Sequence, residues 1–103
     1  MDDRARNEHI GIAWEAWKER ERAYLKHNPA GNCMETKGWN DPAWLPVLVE
    51  EVGEVARVLC DYNNSHTWLE ITDQAQSRLR EELIQVIAMA TVWVARIDYY
   101  DAS

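Results

Sequence analysis

Phenylalanine is absent from this 103-residue chain, and glycine (four) and proline (three) are scarce. So few turn formers leave little room for many tight turns, which weighs against an all-β fold. There are two cysteines, Cys33 and Cys60. They fit no ligand spacing such as CxxC, and they read as reduced thiols of a cytosolic protein. An excess of positive charge is also missing. Eighteen acidic groups against eleven basic ones give a formal charge of −7. Nucleic-acid polymers are disfavoured, because binding them relies on Lys and Arg releasing counterions. A nucleotide is not excluded, provided metal ions lie between carboxylate and phosphate. The longest apolar run, Val86 to Ala95, is about half of the ~20 residues a membrane span needs. The first ten residues are polar and charged, so no secretory signal and a cytoplasmic location are expected. No Gly-rich phosphate loop, nucleophile elbow, zinc motif, internal repeat or low-complexity segment is present.

What the chain does have is apolar bulk, at 47% of residues, with six Trp and four Tyr. That suffices for one domain spanning residues 1–103 around one core. Periodicity predicts an all-α bundle of three main helices. The first runs from about residue 8 to 27, with Ile10, Trp14, Trp17 and Tyr24 on one face. Asn28 and Pro29 stop it, and residues 1–7 are expected to fray. Residues 28–40 form a loop long enough to suggest a functional role. A second helix, about 41–63, starts at Asp41 as N-cap with Pro42 at the first helical position. Leu48, Val52, Val55, Leu59 and Tyr62 form its expected core stripe. A third, about 73–98, begins at Asp73, which with Gln76 fits a capping box. Leu79, Leu83, Val86, Ala90, Trp93 and Ile97 make a heptad-like seam along it. Three helices with such wide apolar faces predict pairing with a second copy. A dimer or tetramer would complete four-helix packing.

The second helix carries Glu50, Glu51 and Glu54. Residues three apart share a helical face, about 5–6 Å between Cβ atoms. Glu51 and Glu54 therefore point the same way, in line with Val47 and Val58. The third helix repeats the device with Glu82 and Gln85, in line with Arg78 and Met89. Three carboxylates and an amide around a common space repel and are costly to desolvate. Mg²⁺ relieves that cost and bridges carboxylates to phosphates, with Mn²⁺ a possible substitute. The plainer alternative is that EExxE is only a solvated helix face.

The segments WLPVLVEEVGEVARVL and LREELIQVIAMATVWV resemble the two metal helices of the MazG-like nucleoside triphosphate pyrophosphohydrolases, and KGWNDPAW resembles the aromatic-rich approach to the first. The resemblance covers about residues 37–98. The family pattern is ExxE, a variable gap, then ExxD. Glu51 and Glu54 match the first half and Glu82 the second, while Gln85 stands where the family has Asp and brings no charge. The resemblance implies an acid-anhydride hydrolase that cleaves a (d)NTP between the α- and β-phosphates to (d)NMP and pyrophosphate. Glu51, Glu54, Glu82 and Gln85 would hold the metal, and Glu50 or Glu54 would serve as general base.

Lys37, Arg57, Arg78 and Arg80 are candidates to meet phosphate, although each also reads as a solvated charge; Arg78 has the spacing to pair with Glu82. Trp39 in the loop is the candidate for stacking on a base, with Lys37 and Arg78 completing the substrate contacts. Trp44 reads as core, as do Trp14, Trp17 and Trp93. His9, His27 and His66 read as surface residues, and Cys60 as a small apolar one. Two readings outside this activity stay open. One is a catalytically weak relative that binds nucleotides or only assembles through its helices. The other, within the superfamily, is a phosphoribosyl-ATP pyrophosphohydrolase.

Overall fold

In a computed structural model, residues 2–27, 34–63 and 73–99 are described, apart from the side chains of His27, Tyr62 and Asn63. The expectations for Asn28, Pro29, Cys33 and His66 fall outside them. The described chain is all-α and contains no strand. Helix α1 spans Asp3–His27, α2 Trp44–Asn63 and α3 Asp73–Tyr99, with a single 3-10 turn at Met34–Thr36.

Helix α1 begins five residues earlier than periodicity suggests, so residues 3–7 are helical rather than frayed. The reason is a local cap. The Asp2 carboxylate accepts the Ala5 N–H at 2.8 Å, and its carbonyl accepts the Arg6 N–H at 3.0 Å. An Asp at this position satisfies N–H groups that have no partner inside the helix. At α2, Asp41 accepts the Ala43 N–H at 2.8 Å and the Trp44 N–H reaches the Asp41 carbonyl at 3.2 Å. Asp41 thus caps as expected, but Pro42 and Ala43 form a turn and the regular helix starts at Trp44. Pro46 lies in its first turn, where a missing N–H costs nothing.

Helix α3 lies between the other two and contacts both. Glu15 bonds Arg80 and Glu19 lies beside Gln85, so α1 runs parallel to α3. Trp44 packs on Met89 and Trp93 while Glu51 faces Glu82, so α2 runs antiparallel. Trp44 is fully buried and stacks on Trp93 with ring centroids 5.7 Å apart. Met34, Met89 and Val92 complete this cluster, and Ala16, Ile84 and Ala88 form a second one between α1 and α3.

The buried lines differ from those expected. On α2 the buried residues are Trp44 and Val58, and Val52 is 50% exposed. On α3 they are Ile84, Ala88, Met89 and Val92, while Leu83 and Ile97 of the expected seam remain exposed. A central helix with neighbours on two sides buries two adjoining stripes, and the heptad seam falls to one side of them. Trp14 and Trp17, expected in the core, stack on each other at 5.0 Å and are 57% and 49% exposed. Cys60 is an exposed free thiol rather than a packed apolar residue. Among the described residues no helix is long and apolar enough to cross a membrane.

Candidate functional site

Glu51 and Glu82 face each other across the α2–α3 contact. Burial pushes the Glu51 carboxyl above its ordinary value. The negative charges of Glu82, Glu50 and Glu54 push it further in the same direction, against a smaller opposing pull from Arg20. Two effects that each disfavour the ionised form act together here. Both follow from the local sequence: ExxE places Glu51 and Glu54 on the side of α2 that carries Val58, which is buried. Glu50 is on the exposed side, and Glu54 pairs with Arg57 at 3.7 Å.

Gln85 is turned the other way. It lies beside the Glu19 carboxylate of α1, whose carboxyl is held below its ordinary value chiefly by its bond to Arg22 and further by the nearby Gln85 amide, against partial burial. Sequence reasoning missed this Glu19–Gln85 association, which lies in a depression lined by Glu15, Lys18, Arg22 and Arg80 and not by Glu51 or Glu82. Arg20 was also missed. Its Nε donates to Glu35 Oε2 at 3.0 Å, a second bond joins Nη2 to Oε1, and its charge reaches Glu51. Among the described residues it is the cation whose field lowers the Glu51 carboxyl. Neither Glu19 nor Arg20 has a local sequence signal, because α1 carries a run of alternating charges (KERER) in which these two look like any solvated pair.

The other predicted substrate residues are elsewhere. The carbonyls of Lys37, Gly38 and Trp39 accept, in turn, from Arg96 Nε at 2.8 Å, the Trp44 indole N–H at 2.7 Å and the Trp93 indole N–H at 2.8 Å. Three consecutive carbonyls are thus tied to α2 and α3. Trp93 and Arg96 are eleven and fourteen residues beyond Glu82, roughly 16–21 Å along a helix rising 1.5 Å per residue. The backbones of Lys37 and Trp39 therefore lie well away from the carboxylates, and the Trp39 ring is exposed. Arg78 is exposed, and the Arg78–Glu82 pair that the spacing allows does not form. Arg80 is bound end-on by Glu15 at 2.8 and 2.9 Å, which lowers the Glu15 carboxyl. His9 is exposed, as expected.

The α2–α3 contact thus brings Glu51 and Glu82 together with Glu50 and Glu54 near them and the Arg20 charge within reach, while Glu19 and Gln85 line a separate depression with Glu15, Arg22 and Arg80. The donors beside Glu51 are carboxylate oxygens, the ligands a hard cation such as Mg²⁺ takes. Among the described residues, however, no three His, Cys, Asp or Glu side chains converge closely enough to hold a metal ion as they stand. A scan against protein-family models, a search of curated proteins and a search of solved structures all return no match for this chain.

Proposed function

We propose that this chain is a cytoplasmic, Mg²⁺-dependent pyrophosphohydrolase of nucleoside triphosphates, acting at the carboxylates of α2 and α3. The observation that carries the reading is the Glu51 carboxyl, raised by burial and by three glutamates around it. Such crowding costs stability in a protein that gains nothing from it, because an apolar residue at position 51 would pack more favourably. A cation that neutralises the group turns the cost into a binding site.

Glu51 and Glu82 would be the principal oxygen ligands, with Glu54 joining when it leaves Arg57. Mg²⁺ supplies neutralisation of the triphosphate and polarisation of the phosphoryl group under attack. Glu50, exposed and next to Glu51, or Glu54 would accept a proton from an attacking water. Arg20 would meet phosphate charge if it exchanges its Glu35 partner. Self-association completes the proposal. Leu83, Ile87, Val94 and Ile97 leave an apolar stripe exposed along α3, at the four- and three-residue spacing that pairs helices. Sedimentation of wild type against Val94→Glu tests it, with a lighter species expected for the variant. An unchanged species in that variant argues against pairing through α3.

One observation favours a second reading. Gln85 already lies beside Glu19, so the fourth ligand position is turned away from Glu51. A protein that binds a nucleotide weakly without cleaving it would tolerate that. Pyrophosphate release from the eight common (deoxy)nucleoside triphosphates, with and without Mg²⁺, separates the two readings. Mg²⁺-dependent release that is lost in Glu51→Gln supports the hydrolase, and binding without release supports the second reading.

A further inference from the structure

Beside the acidic junction, a groove of about 420 Å³ runs between α1 and α3. Trp17 and Tyr24 line one wall, and Ala88, Val92 and Ala95 the other. The small alanines make the space, and the Thr91 hydroxyl at the groove donates back to the Ile87 carbonyl of its own helix at 2.7 Å. The lining is mostly apolar with a few charged groups at the edge, among them Arg20 and Glu35. Such a lining and volume are those of small-molecule pockets, which fall at about 300–1,000 Å³.

Two features say what would occupy it. The first is aromatic. Trp17 is already stacked on Trp14, so its ring is held in place before any ligand arrives, and a planar heteroaromatic ligand gains stacking energy at little ordering cost. The second is position. Arg20 lines the groove and its charge also reaches Glu51, so the Arg20 end of the groove is the one nearer the carboxylates. Ala88 is six residues beyond Glu82, roughly 9 Å along the helix, a separation that a nucleotide spans between its phosphates and its base.

We infer that the α1–α3 groove is the base subsite, with Trp17 and Tyr24 as the stacking residues in place of Trp39. This rests on the pyrophosphohydrolase reading for the phosphates, but it is tested without them. Deoxycytidine, thymidine, deoxyadenosine and deoxyguanosine are titrated to millimolar concentration in EDTA-containing buffer, and the indole and amide NMR signals are followed. At least one nucleoside shifts the Trp17 indole and the Tyr24 and Ala95 amides. Its Kd rises tenfold or more in Ala95→Leu, which fills the groove, and in Tyr24→Ala, which removes a wall. Val49→Ala, on the exposed side of α2 away from the groove, leaves the Kd unchanged. Shifts centred on Trp39, shifts that survive Ala95→Leu, or no shift with any nucleoside overturns the inference. Loss of Mg²⁺-dependent pyrophosphate release with these shifts intact overturns the phosphate reading instead.

Discussion

Replacing Gln85 with Asp restores the charge that a fourth metal ligand would carry, and the structure gives the change a cost. The Gln85 amide lies beside the Glu19 carboxylate and lowers it; an aspartate brings no N–H and is one methylene shorter. The lost amide–carboxylate attraction at a half-buried site is worth at most about 1 kcal/mol. Two carboxylates then face each other at a partly solvated helix contact, adding on the order of 1 kcal/mol of repulsion. A loss of about 2 kcal/mol lowers the melting temperature of a domain this size by roughly 8–10 °C. Thermal unfolding in EDTA measures it. In a Glu19→Gln background the penalty should shrink by at least half, because the repelling charge is gone. Millimolar Mg²⁺ should then raise the melting temperature of Gln85→Asp more than that of wild type, since a cation binding only the folded state stabilises it. An unchanged melting temperature in EDTA would refute the Glu19 contact. A drop that Mg²⁺ does not reverse would place residue 85 outside any coordination shell.

Other perturbations separate stability from site. The raised Glu51 carboxyl and the lowered Glu15 and Glu19 carboxyls act in opposite directions with pH. Ionised Glu51 costs stability that develops as pH rises from the ordinary glutamate value of 4.5 through its raised folded value, so Glu51→Gln should melt higher than wild type at pH 7 and equally near pH 4.5. Glu15 and Glu19 contribute stability above that value and lose it as pH falls through their lowered ones. Equal melting of wild type and Glu51→Gln at every pH would remove the strain argument. Trp44→Ala empties the largest fully buried side chain and should cost about 3–5 kcal/mol, a large part of the roughly 5–15 kcal/mol such a domain has. Urea denaturation measures it, and a loss below about 1 kcal/mol would show the cluster collapsing around the gap. Arg80→Ala, by contrast, breaks an exposed, solvent-screened ion pair and should leave the urea midpoint nearly unchanged.

The helical architecture was legible because three long periodic segments and an Asp-Pro start leave few alternatives. The start of α1 was missed because its signal, Asp2 capping the Ala5 N–H, lies outside the apolar period that defined the helix. The buried faces were misread for a different reason. A heptad count finds one seam, whereas α3 has neighbours on two sides and buries Ile84, Ala88, Met89 and Val92. Glu51 and Glu82 were legible as a facing pair, because ExxE and ExxQ fix their faces and antiparallel packing brings them together. Glu19 and Arg20 were not, since only the parallel docking of α1 gives them partners sixty-six and fifteen residues away, at Gln85 and Glu35. Lys37 and Trp39 looked like substrate contacts because a loop beside a helix start is a common binding element. Their carbonyls instead anchor the loop to Arg96 and Trp93.

The central claim is that the carboxylates of α2 and α3 exist to hold a cation against a triphosphate. Pyrophosphate release from (d)NTPs at high protein concentration, run in parallel on wild type and Glu51→Gln, tests it most directly. The account predicts release from at least one substrate that requires Mg²⁺ and falls at least a hundredfold in the variant while helicity is retained. Release that persists in Glu51→Gln, or none from wild type with any substrate, would contradict it.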